Sequence, residues 1–429
     1  MTPAMLHFLA PGIPQTVAAI LFATAVIHTF SARSFERMAH LQPRHAGVWH
    51  LLGEVEVVFG FWAMVLVVFL ALHDGPPSTM HYLEGLTFRE AAFIFVIMVV
   101  AASRPILDVS AVLLSWVSRL LPVSPQAAYY ITILSIGPLL GSFMTEPAAM
   151  TLSAMLLRQR YLTMQMPARF KYATIGVLFV NISVGGTLTP FAAPPVLMVA
   201  ERWSWDFAFM MQTFGWKATL AVLANAIAVT FLMRRHLEQL PRNVAKLERL
   251  EVPWPVIGVH LAILAGVVIA SHHTIVFIGL FLFFLGFAEA YRRYQSTLII
   301  REGLLVAFFL AGLVVLGGMQ EWWLQPLLAG MGPTVLYYGA TLLTAITDNA
   351  ALTYLGSLVS GLSAEAKYAL VAGAVSGGGL TVIANAPNPA GYSILKNSFD
   401  QATISPLWLA VAALPPTLVA VAAFRLLPG

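Results

Sequence analysis

Thr145-Glu146-Pro147-Ala148-Ala149-Met150-Thr151 decides how this chain is read, because it returns 202 residues later as Thr347-Asp348-Asn349-Ala350-Ala351-Leu352-Thr353. Four positions are identical, an acid stands against an acid, and methionine stands against leucine. Both copies lie inside strongly apolar sequence, where an ionised side chain is costly and is usually kept for function. A motif repeated in this way points to a chain made of two related halves.

The surroundings of the motif set the class. Of 429 residues, 59% are hydrophobic and 10% charged, far from the balance of a soluble domain. Several apolar runs exceed the about 20 residues needed to cross a bilayer, so we expect an all-α polytopic membrane protein with the lipid bilayer as its first partner. The short alternating segments of a β-barrel are missing. The first apolar segment lacks a basic leader and a cleavage site, so it reads as a span and not as a signal peptide. The net charge of +4 is spread over short loops and does not predict nucleic acid binding. With no cysteine, disulfides, thiolate metal sites and cysteine nucleophiles are excluded. The sequence holds neither a Gly-rich nucleotide loop nor a soluble stretch long enough for an ATP-hydrolysing domain. No cofactor is expected, and any transport must run on a gradient.

Hydropathy predicts about ten spans, near 14–32, 47–72, 90–118, 171–201, 207–233, 254–271, 274–290, 301–322, 366–396 and 404–425. Two further apolar stretches, 127–157 and 330–361, each carry one acidic motif near the middle. Each has room for two half-helices, so both read as re-entrant hairpins with tips at Thr145–Pro147 and Thr347–Asn349. Irregular backbone at that depth is tolerated only where it lines a cavity or is buried in protein. The basic loops support this threading. With the N-terminus outside, Arg33, Arg37, Arg44, Arg158, Arg160, Arg169 and Lys171 face the cytoplasm. So do Arg234, Arg235, Arg242, Lys246, Arg249, Arg292, Arg293, Arg301 and Lys396. The outer side keeps Arg89, Arg202, Lys367 and Arg425. Residues 1–233 then form a first repeat, 234–253 a cytoplasmic linker and 254–429 a second repeat. Five spans before the linker make the repeats inverted.

A second duplication follows at an offset of 192. Gly185, Gly186, Leu188, Thr189, Ala192 and Pro195 match Gly377, Gly378, Leu380, Thr381, Ala384 and Pro387, and Arg89-Glu90 matches Arg301-Glu302 more weakly. A glycine pair followed by proline interrupts a helix, since glycine lacks side-chain restraint and proline removes a donor. The spans 171–201 and 366–396 are therefore expected to be broken helices. A break exposes backbone carbonyls at one half-helix end and amides at the other, both usable as ion ligands.

A hairpin tip followed by a Gly-Gly break, twice over, resembles the ion transporter superfamily of sodium/proton antiporters, arsenite permeases and dicarboxylate/sodium symporters. Asn181-Ile182-Ser183-Val184-Gly185-Gly186-Thr187-Leu188-Thr189-Pro190 is similar to the antiporter and arsenite-permease segment. Ile346-Thr347-Asp348-Asn349 resembles the antiporter hairpin tip. The nearest resemblance is to bacterial sodium/proton antiporters, D-type-like. It implies a homodimer, a scaffold with a moving transport domain, and a multi-pass protein of the bacterial inner membrane with both termini periplasmic. Ala192-Ala193 departs from a Gly-Asp pair found in many relatives, and neither tip has the Ser-Asn-Thr of the dicarboxylate branch.

The candidate site follows from these motifs. Asp348 is the first choice for binding an alkali cation and exchanging it for protons, with Glu146 as its partner. A carboxyl group withdrawn from water lets proton and cation compete for one place. Thr347, Asn349 and Thr145 add neutral oxygens, which hard cations prefer. Asn181, Thr187 and Thr189 in the first broken helix, and Thr381 and Asn385 in the second, complete the set. Arg104 and Asp108, one helical turn apart, form either a self-compensating ion pair or a gate in which Arg104 holds an acid until the cation arrives. Glu54 and Glu56 point in different directions on a helix, so one of them faces a given cavity. His28 and His50 read as polar packing residues, Lys217 as a snorkelling residue, and Trp203, Trp205, Trp322 and Trp323 as an interfacial belt. An anion or carboxylate carrier of the same fold would want cationic or neutral donors at the tips. An intramembrane enzyme would want a His-Glu-x-x-His zinc motif, a Gly-x-Gly-Asp protease signature or a plausible Ser-His arrangement, and we find none of these in the sequence.

Overall fold

The computed structural model describes residues 11–162, 166–240 and 251–428, and among the described residues every regular element is helical. In the first half these are α1 (Ile13–Leu41), α2 (Ala46–Gly53), α3 (Val55–His73), α4 (Pro76–Glu84), α5 (Arg89–Ala101), α6 (Arg104–Ser118), α7 (Pro125–Met144), α8 (Glu146–Arg160), α9 (Ala168–Gly185), α10 (Pro194–Ala200) and α11 (Phe207–Glu238). The second half holds α12 (Trp254–Ile269), α13 (Thr274–Ala290), α14 (Ile300–Gly317), α15 (Glu321–Ala329), α16 (Pro333–Thr344), α17 (Asn349–Ser357), α18 (Ala364–Gly377), α19 (Asn388–Leu395) and α20 (Pro406–Leu426). Linker residues Arg242, Lys246 and Arg249 lie outside the described residues.

Seven of the described helices are long and apolar enough to cross a membrane, and eight if the bent pair α5–α6 counts as one span. Helices α12 and α13 are apolar but have 16 and 17 residues. At about 1.5 Å per residue they are short for a hydrocarbon core about 30 Å thick. The single span expected over 90–118 is two helices meeting at 66°. Pro105 explains the bend: it has no N–H to give, and its ring would collide with the carbonyl of Ala101. The stretch 47–72 is likewise interrupted at Glu54, whose extended backbone separates α2 from α3.

Two packing groups position the site. Helices α1, α3, α5 and α14 pack together, and α3 and α14 come so close that a Cβ on Gly312 would strike the backbone of Phe59 and Gly60. In the other group α7 and α8 fold back on each other about Thr145, bringing Gly137 against Ser153 and Gly141 against Ala149. Helix α9 packs on α7, α11 and α20, and α18 packs on α16. The two halves also exchange partners. Helix α8 packs against α19, and α17 packs against α10. Each acid-bearing helix therefore rests on the short helix beyond the other half's glycine break.

Candidate functional site

Both breaks form where the glycines and prolines require them. Helix α9 ends at Gly185, a single 3-10 turn covers Gly186–Leu188, and Pro194 opens α10. Helix α18 ends at Gly377 and α19 begins at Asn388. Ser142 repairs the first break. Its hydroxyl donates to the Gly185 carbonyl at 2.7 Å and accepts from the Leu188 amide at 2.9 Å. A similar bond recurs one residue out of register: Thr189 donates to the Ser142 carbonyl at 2.6 Å, and its counterpart Thr381 donates to the Ala345 carbonyl at 2.9 Å, next to Thr344, the match of Ser142. Each break is thus tied to the first arm of its own hairpin. In the second half Asn388 closes the gap, donating to the carbonyls of Gly378 and Thr381 at 2.8 Å each. The broken helices cross where Ser183 donates to the Val375 carbonyl at 2.8 Å.

The two tips differ by one residue of helix, and this separates the roles of the two acids. Pro147 lies in the first turn of α8, which starts at Glu146 itself. Thr145 is left between two helices at φ 75° and ψ 149°, a left-handed conformation rarely taken by a β-branched residue. Strain of about 1–3 kcal/mol at such a residue persists only where the surroundings enforce it. In the second half Asn349 replaces the proline and the helix starts one position later. Asp348 becomes the N-cap, and its Oδ1 accepts from the amides of Ala350 and Ala351 at 2.8 and 3.1 Å. Asp348 is half-buried, whereas Glu146 is fully buried.

Glu146 reaches across to the other half. Its Oε2 accepts from Nδ2 of Asn385 at 2.7 Å, while its Oε1 makes no hydrogen bond. The backbone amide of Asn349 donates to the Ala384 carbonyl at 3.1 Å. The neighbours Ala384 and Asn385 thus hold both tips at once. Gly378 is needed here, because a Cβ on it would strike the side chains of Ser183 and Asn349. Gly186 is needed too, since its Cβ would strike the Glu146 carboxyl group. Around this junction Thr145 Oγ1, Asn349 Oδ1, Asn385 Oδ1 and Asn388 Oδ1 are buried without a hydrogen-bond partner. Asn349 Nδ2 is unpaired there as well; buried polar atoms are normally paired, and oxygens are the donors that hard cations take.

The other sequence candidates occupy different positions. The Asn181 amide bridges the carbonyls of Leu134 and Val222 and accepts from Asn225, so all its polar atoms join α7, α9 and α11. Thr187 donates to Val184 within its own turn, and Thr347 donates to Leu343. Arg104 sits just past the α5–α6 bend, 3.3 Å from Asp108 and 2.5 Å from Glu251; Arg104 and Asp108 are partly exposed and Glu251 is exposed. A cavity of about 390 Å³ opens between α1, α3, α14 and α15 on one side and the second hairpin with its break on the other. Thr347, Asp348 and Asn385 line it, as does Glu56, while Glu54 pairs with Arg301. Ser142 was not picked out from the sequence. Its only signal is its place three residues before Thr145, matched by Thr344 before Thr347.

Taken together, long apolar helices, two glycine breaks and a fully buried Glu146 define an all-helical multi-pass membrane protein. Residues 14–427 match the family described as "Putative Na+/H+ antiporter", and the chain belongs to that family. A comparison with curated proteins found no match.

Proposed function

We propose that the protein exchanges sodium or lithium for protons, with Glu146 as the central exchanging carboxylate. One observation carries the reading. The buried Glu146 holds one oxygen on Asn385 and keeps the other unpaired, among unpaired amide and hydroxyl oxygens from both halves. An alkali cation would be bound by Glu146 Oε1 with oxygens of Asn385, Asn349, Asn388 and Thr145, and a proton on the same carboxylate would displace it. Asp348 lies at the cavity wall, with one oxygen committed to its helix. It contributes charge at the mouth of the site and stays the second exchanging candidate.

In this reading the chain is two inverted repeats of about ten spans, with 127–157 and 330–361 as re-entrant hairpins that meet near the midplane. The recurring tie of Thr189 and Thr381 supports it, as does the crossed packing of α8 on α19 and α17 on α10. Hairpins and breaks move as one body against α1, α3 and α14, opening and closing the 390 Å³ cavity. We place the protein in a bacterial inner membrane as a homodimer, following its family. The test is everted vesicles under an imposed proton gradient, titrated with sodium, lithium, potassium, arsenite and succinate. Alkalinisation with sodium or lithium alone supports exchange, and a response to the anions alone would overturn it.

A further inference from the structure

The cavity beside the second hairpin contains a carboxylate that the exchange cycle above leaves unused. Glu56 lies in the first turn of α3, two residues beyond Glu54. Glu54 is neutralised by Arg301 of α14. Glu56 instead lines the cavity, its carboxyl hydrogen-bonded to its own backbone and within the electrostatic reach of Arg301. Of the residues lining the cavity, Glu56 and Asp348 are the titratable ones, and most of the remainder are apolar, among them Phe22, Phe59, Phe309 and Trp323.

Two carboxylates facing one poorly solvated space repel each other strongly, because few polar groups screen them. A cation between them relieves that repulsion. A third group on the same wall points to such a ligand. Asn385 is 1% exposed, and its Oδ1 has no partner. Its Nδ2 is held by Glu146, so the amide joins the cavity to the buried carboxylate behind it. We propose that Glu56 and Asp348, with the Asn385 side-chain oxygen that the Glu146 site also uses, form a second cation site, which an alkali cation occupies before it passes to Glu146. The proposal rests on the exchange reading and adds to it an entry site shared between α3 and the hairpin.

The experiment uses the full chain in proteoliposomes, with exchange followed against sodium concentration. Glu56→Gln raises the KM for sodium about tenfold, which corresponds to ~1.4 kcal/mol, and leaves the maximal rate near that of the wild type. Glu56→Asp recovers part of the affinity. In the double variant with Asp348→Asn, the loss from Glu56→Gln shrinks, because the two groups share one ligand. A wild-type KM in Glu56→Gln overturns the proposal. A fall in maximal rate at unchanged KM overturns it too, since that marks a structural role. Sodium-dependent thermal stabilisation in detergent at constant ionic strength reads the site without transport, and Glu56→Gln weakens it. Absence of exchange in the wild type would contradict the exchange reading, and the stabilisation measurement would still report on the site itself.

Discussion

Replacing Asn385 by alanine removes one hydrogen bond from the Glu146 carboxylate, and the geometry sets the size of the loss. The bond is 2.7 Å long and joins two side chains that are 0% and 1% exposed, so water cannot replace the lost donor. Hydrogen bonds to charged groups are worth about 1.5–3 kcal/mol. Without Asn385 both Glu146 oxygens are unpaired, and Asn385 Oδ1 is lost as a ligand as well. The KM for sodium should therefore rise roughly 10- to 100-fold, since each ~1.4 kcal/mol is a factor of ten. The assay is sodium-dependent proton efflux from proteoliposomes at matched protein density, with the unfolding temperature measured on the same preparation. A correctly inserted Asn385→Ala protein with unchanged sodium affinity would show that the Glu146–Asn385 pair does not hold the ion.

Three further outcomes follow. Ser142→Ala removes two buried hydrogen bonds that hold the first break to α7; at about 0.5–1.5 kcal/mol each it lowers stability by roughly 1–3 kcal/mol, and an unchanged thermal unfolding midpoint would refute the stitch. Asp348→Asn keeps a side chain able to cap α17, whereas Asp348→Ala also loses the cap and about 0.5–2 kcal/mol; equal unfolding midpoints for the two variants would argue against the cap. Gly186→Ala pushes a methyl group into the Glu146 carboxyl and, at a strain of roughly 1–3 kcal/mol, displaces the carboxylate and cuts exchange at least tenfold, while normal exchange would mean that the carboxyl group lies elsewhere during transport.

The punctuation of the fold was legible in the sequence because it is local. Gly185-Gly186 and Gly377-Gly378 end their helices where the pattern placed the breaks, and helix interruption there needs no knowledge of distant neighbours. Pro105 was equally visible, yet 90–118 is apolar enough as a whole to read as one span across the 66° bend. Composition reports burial, not direction. The contrast between the two acids was harder to foresee. Pro147 against Asn349 moves the helix start by one residue, and that turns Asp348 back onto its own amides while releasing Glu146 outward. The Glu146–Asn385 bond spans 239 residues. Nothing in either neighbourhood announces it, because only the crossed packing of α8 against α19 brings them together.

The central claim is that Glu146 is where cation and proton exchange. It is tested most directly by radioactive sodium uptake into proteoliposomes driven by an imposed proton gradient, comparing the wild type with Glu146→Gln at matched, folded protein. Glutamine keeps the size and an oxygen ligand but cannot carry the charge. The account predicts gradient-driven uptake in the wild type and none above background in Glu146→Gln at any sodium concentration. Uptake by Glu146→Gln at the wild-type rate, still driven by the proton gradient, would contradict it.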